Sequence, residues 1–338
     1  MAALMKLETD WWLELHSTYA DVVKQRQELY EKYGPSTLQA LPGSELATKE
    51  LMEMVLQFLC ARYPHYFSLD RDSMAFHNRI LNTTTDLRTT APLFVLLQNV
   101  PEDFACMIRD PETGIYSFRA GIIMSSLGWN LGTKIGKKLH EIHAPVPDYR
   151  EKMQFSMDRF FAKMPTDKPI QRGSWGLEID EPLYAPPGPE TDALTANSGD
   201  PSHTIDRVHF RVDWQTLRRL PLSGAIVFNF KGIFTPVTEF RTEPYIPSLI
   251  LKVIHEGKEN LKEYKHTDHT ERVVVPTMEA YEREQREKGL IEEGWEEKTL
   301  AESPFFPGEL TPFPAFTCKE TDFGVAGWEE KWHRQQGF

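Results

Sequence analysis

The chain has 338 residues, 40% of them hydrophobic, and carries 38 Lys and Arg against 50 Asp and Glu, a net charge of −12. That is enough apolar material for one large core or two modest ones, and it excludes disorder throughout. The acidic balance argues against non-specific binding to nucleic acid or an anionic membrane; it favours solubility and leaves basic proteins open as partners.

Cys60, Cys106 and Cys318 are far apart in the sequence and form neither a CxxC pair nor a disulfide framework, which fits a reducing compartment. Lys6, Glu8 and Asp10 stand where a secretory leader needs an apolar run, and no stretch of about 18 apolar residues occurs. The expected location is the cytoplasm.

In chain order, roughly the first 90 residues read as helical. Within them Leu51, Val55, Phe58 and Leu59 repeat at helical spacing after a Ser44 cap and before Pro64. Strand-like runs at 103–109 and 116–126 flank Asp110-Pro111-Glu112-Thr113-Gly114, whose Pro and Gly suit a tight turn. An amphipathic helix is expected over 131–143, with Leu131, Ile135, Leu139 and Ile142 on one face, although Gly132 and Gly136 weaken it. A second helix is expected over 148–164. A strand at 171–179, a polar loop at 180–204, and strands at 206–218 and 225–234 around the turn Leu220–Gly224 follow. Past Pro247 the pattern returns to helix, ending in a charged, solvated helix at 276–288 and an extended tail rich in Pro, Phe and Trp. Five strands in this order suit an α+β fold, an antiparallel sheet with helices gathered on one face.

No GxSxG elbow, Walker loop, GxGxxG or HExxH is present. His140 and His143 are three residues apart, and Pro145 ends the helix before a zinc motif can continue. His266 and His269 read as surface residues in a polar loop. His143 stands out because it closes its segment just before Ala144-Pro145-Val146-Pro147. An imidazole held at a helix end while the chain turns away is well placed as an axial haem ligand.

On the strand at 206–218, His209, Arg211, Asp213 and Gln215 share one side by alternation, opposite Val208, Phe210, Val212 and Trp214. Four polar groups in file must face water or a polar pocket, since burying them unpaired is costly. The expected pocket uses Asp213 to orient substrate or relay protons and Arg211 to pair with it, with Asn229 and Lys231 of the next strand completing it. Haem propionates need cations, and Arg172, Arg218 and Arg219 lie near strand ends. His209 is an alternative second axial ligand.

The segments Ile142-His143-Ala144-Pro145-Val146-Pro147, Arg207-Val208-His209-Phe210-Arg211-Val212-Asp213-Trp214-Gln215-Thr216-Leu217-Arg218-Arg219-Leu220-Pro221 and Ser223-Gly224-Ala225-Ile226-Val227-Phe228 together resemble the haem-dependent oxidative N-demethylase α subunits, including a fungal branch called HRQ family proteins. Glu102-Asp103-Phe104, Ser126-Leu127-Gly128-Trp129 and Arg172-Gly173-Ser174-Trp175 support the likeness, which runs from about Leu7 to about Tyr264. The resemblance implies a PAS-like haem-binding domain with a five-stranded antiparallel sheet and His143 as proximal ligand to haem b. It also implies O2-dependent oxidation of an amine, with electrons from a separate reductase, because the chain carries no flavin or iron–sulfur motif of its own.

Relatives commonly have Glu where this chain has Asp213, and Arg where it has Lys231. The carboxylate arm is therefore shorter and a bidentate fork becomes a point charge, so dimethylamine does not carry over as substrate. The expected organisation is a helical extension at 1–95, a haem-binding core at 96–240, C-terminal helices at 241–298 and a tail at 299–338. The reading is a haem-dependent monooxygenase; the alternative is a haem-based gas or redox sensor.

Overall fold

The structure, a computed structural model, describes residues 4–195, 200–266 and 268–297. The expected tail and Cys318 lie outside them. In chain order the elements are β1 (Met5–Lys6), α1 (Tyr19–Tyr33), β2 (Leu38–Ala40), α2 (Glu45–Arg62), β3 (Phe67–Asp70), β4 (Ala75–Asn78), β5 (Thr83–Asp86), α3 (Pro92–Asn99), β6 (Asp103–Arg109) and β7 (Tyr116–Ile122). They continue with α4 (Leu139–Ile142), α5 (Gln154–Lys163), β8 (Ile170–Ile179), α6 (Pro189–Thr195), β9 (Val208–Arg219), β10 (Ile226–Pro236), α7 (Ile246–Glu256), α8 (Glu259–Lys265) and α9 (Asp268–Glu287).

The main sheet is antiparallel with strand order β1-β8-β9-β10-β6-β7-β2. The five expected strands form its centre. Two short strands from the N-terminal forty residues add one at each edge, so the sheet has seven strands rather than five. The fold is α+β. A second, three-stranded sheet, β3-β4-β5, interrupts the N-terminal segment expected to be helical. Its strands have four residues each, and its reversals place Met74 and Asn82 at φ +52°.

Helices cover both faces, not one. On one face, here the back, Phe104, Cys106, Ile122 and Val227 pack with Leu51, Val55 and Leu96 of α2 and α3. Farther along that face Leu177, Ile179 and Val208 pack with Ile250, Ile254, Val274 and Met278 of α7 and α9. The charged helix is therefore half core: Val274 and Met278 are fully buried. On the front face, Ala105, Met107, Phe118 and Leu217 pack with Leu139 of α4 and Phe161 of α5.

The helix expected over 131–143 is reduced to α4. Gly136 adopts φ +82°, and its N–H donates to Phe118 O at 2.7 Å while Phe118 N–H donates to Lys137 O at 2.9 Å. These residues spend their backbone groups on β7, leaving only the final turn for helix. The next helix begins with a π-helical turn at Tyr149–Met153 before α5. The loop at 180–204 is not wholly polar surface either, because Leu183 and Ala185 are buried.

Candidate functional site

Paired residues of antiparallel strands project to the same side. The register therefore lays a grid on the front face, with rows Ile170–Leu217–Phe228, Arg172–Gln215–Phe230, Ser174–Asp213–Gly232 and Gly176–Arg211–Phe234 across β8, β9 and β10. Most of these side chains are only partly covered, so this is the open part of the face beside α4 and α5.

His143 lies at the end of α4, beside that open part of the face. Its Nδ1 lies 2.8 Å from Leu139 O, an acceptor, so Nδ1 carries the ring proton and Nε2 keeps its lone pair. The ring stacks on Tyr149 with centroids 5.1 Å apart and planes 11° from parallel. Burial holds the imidazole below its ordinary pKa, the hydrogen bond opposes this, and the charges of Arg172 and Lys134 add to it. The ring is thus neutral at pH 7.

Arg172 Nε donates to Gln215 Oε1 at 2.5 Å, and burial lowers the guanidinium's pKa. The other two expected propionate partners are engaged elsewhere. Arg218 points to the back face, stacked 3.7 Å from the Trp12 ring, where burial brings it down to about 10. Arg219 is on the front, but donates to Phe161 O, Met164 O, Gly224 O and Tyr116 Oη and so ties down the end of α5.

Arg211 and Asp213 share the front face as the alternation predicts. Arg211 Nε donates to Asp213 Oδ1 at 3.0 Å, while its terminal nitrogens donate to Ser125 O at 2.6 Å and Pro182 O at 3.1 Å. Lys231 does not join them. It pairs with Trp214, whereas Gly232 pairs with Asp213, so Lys231 and Asn229 turn to the back. There Lys231 Nζ donates to Glu14 O at 3.0 Å, contacts His16 and lies 3.5 Å from Glu102 Oε1. Asn229 is held by Thr216 and Asp103 O. His209 is also engaged, with Nδ1 3.1 Å from Arg207 O and Nε2 3.4 Å from Glu181.

Glu178 was missed by the sequence reading. It follows Arg172, Ser174 and Gly176 on the front of β8, and its Oε1 lies over bare Gly176, 3.4 Å from where a Cβ would stand. Burial pushes its carboxyl up to about 7, Arg211 opposes, Asp213 adds to the rise and Lys265 opposes. Period-two counting from Arg172 would have found it. His269 also departs from expectation, since it is buried at the start of α9 with Nδ1 against His266 O.

A family model described as haem-dependent oxidative N-demethylase, alpha subunit-like, matches residues 3–275. The chain belongs to this family. Its residues fit the haem that the family name implies. His143 offers one neutral ring nitrogen at the edge of the open face, Phe228 and Phe230 supply apolar surface in the first two rows, and Arg172 supplies a cation beside them. Among the described residues, no three His, Cys, Asp or Glu side chains converge to hold a metal by themselves. Likewise, no helix among them is long and apolar enough to cross a membrane.

Proposed function

We propose that this chain is a haem-dependent monooxygenase that oxidises an amine-bearing small molecule at a carbon next to nitrogen, an oxidative N-demethylation or a close relative of it. The observation that carries this reading is His143. Its Nδ1–H is committed to Leu139 O, which leaves Nε2 neutral with its lone pair, and the charge of Arg172 on the front face bears on the ring.

Haem b bound there supplies the redox chemistry that splits O2, placing one oxygen in the substrate and releasing the other as water. His143 Nε2 would hold the iron, and the Leu139 carbonyl fixes the ring's tautomer and orientation. Arg172, already cradled by Gln215, pairs with a propionate. Phe228 and Phe230 would give the group apolar surface and exclude water.

Asp213 lies one row beyond, with Arg211 keeping its carboxylate in place, and accepts the substrate's ammonium hydrogen bond. Glu178, poised near neutrality, exchanges protons with solvent as the reaction consumes them. The sum is amine, O2, two electrons and two protons giving demethylated amine, formaldehyde and water. The electrons come from a separate reductase.

The test is a titration of the purified protein with haem, followed by turnover. A histidine-type Soret band that His143→Ala abolishes, with formaldehyde released from methylated amines under a supplied reductase, supports the reading. A protein that takes up no haem, or binds it identically without His143, refutes it.

A further inference from the structure

We infer that the outer face of α5 is the docking surface for a small acidic electron-transfer protein; this rests on the proposed redox reading, which requires electrons from outside the chain. Phe155, Arg159 and Lys163 follow one another at i, i+4 and i+8 and so lie on one side of the helix. With Ser156, Phe160, Met164 and Pro165 they line a shallow groove. Phe155 is 79% exposed, the most exposed large apolar side chain among the described residues. An aromatic centre rimmed by cations has the make-up of an interface, not of ordinary surface.

The charge around it runs against that of the chain. Residues 131–172 hold nine Lys and Arg against five Asp and Glu, although the whole chain has a net charge of −12. Arg159 and Lys163 are exposed and have no ion-pair partner among the described residues, whereas Lys24, Lys49, Arg286 and Lys288 each pair with a Glu. The one acid of α5, Asp158, is half-buried and does not line the groove. The groove is therefore lined by cationic and apolar side chains with Ser156 and no acid, and complements an acidic partner.

The same helix leads to the site. One turn from Phe160, Met157 sulfur lies 3.7 Å from Tyr149 Oη, and Tyr149 stacks on His143. Met157 and Tyr149 thus connect this helix to the His143 ring. A carrier seated on α5 would give up one electron per encounter and become oxidised, and the haem that the proposed reading assigns to His143 would take up that electron.

The experiment is an anisotropy titration of the full chain, as purified, against a fluorescently labelled plant-type ferredoxin, a small acidic iron–sulfur protein. Saturable binding that weakens with salt is expected, with Phe155→Ala costing about fivefold and the double variant Arg159→Glu, Lys163→Glu about tenfold or more in Kd. All three side chains are exposed, and unchanged circular dichroism and melting establish that the variants fold. Binding that the variants leave intact, or no binding below about 100 μM, overturns the proposal. Sedimentation showing that charge reversal dissolves a self-associated form also overturns it, by naming a second copy as occupant. Loss of ferredoxin binding in the variants supports it. Because binding is read without turnover, a failure to load haem defeats the reading of the site and is distinguishable from a failure of the docking surface.

Discussion

Arg211 and Asp213 lie two residues apart on β9 and meet at 3.0 Å, while the same guanidinium also fastens Ser125 and Pro182, carbonyls on two different loops, to the sheet. One side chain thus presents the acid and locks the walls beside it. Arg211→Ala leaves two carbonyls without their donor and is expected to cost about 3 kcal/mol, read as a lower denaturation midpoint. Asp213→Asn keeps the shape and is expected to melt like wild type while turnover falls about a hundredfold. Equal destabilisation by both variants, with turnover intact in Asp213→Asn, would count against the assigned roles.

His143→Ala is expected to leave the fold in place, because Leu139 and Tyr149, its contacts, remain buried in their own right. The Soret band should be lost. Added imidazole in the vacated space should restore it, which a collapsed protein would not allow. Spectra with and without about 10 mM imidazole decide the matter.

Lys231 is expected to behave as a structural residue. It is buried with Glu102, whose Oε2 has no hydrogen-bond partner, and burial drives the carboxyl's pKa up and the amine's down. Lys231→Met removes the one cation among the described residues within 4.0 Å of that carboxylate, and should cost about 3–5 kcal/mol in a urea melt. The loaded spectrum should stay unchanged, because Lys231 lies on the far side of the sheet from His143. A spectral shift without loss of stability would return Lys231 to the site.

Glu178 carries a pH signature of definite sign. Its carboxyl is raised from an ordinary 4.5 to about 7, so the folded state binds the proton more tightly than the unfolded chain. This contribution to stability is complete below about pH 4.5 and is lost as pH rises through about 7. Glu178→Gln should be flat across that window, gaining on wild type by up to about 3 kcal/mol at pH 8. Parallel melting curves of the two proteins from pH 5 to 8 would exclude the raised carboxyl.

The centre of the fold was legible because its strands announce themselves: 103–109 was read to the residue, and alternation alone placed Arg211, Asp213 and Gln215 on one side. The same alternation already set Arg218 against them, on the side of Trp214. Lys231 was harder. Parity within a strand says which residues go together but not which face they take relative to the next strand, and only the pairing of Gly232 with Asp213 settles it. The 131–143 helix failed for another reason. Its apolar spacing is helical, yet the backbone of 136–138 finds its partners in β7, a long-range choice invisible to periodicity. The short strands β3 to β5 fell below the length at which alternation is readable.

The placement of β1 and β2 on opposite borders of the main sheet bears on how the chain matures. The first forty residues leave the ribosome early, but their pairing partners, Ile170–Gln171 and Ala120–Ile122, arrive much later. Assembly therefore has to wait for the downstream half, and a product shortened by those residues would emerge with both flanks of its backbone unpaired, prone to stacking on its own kind.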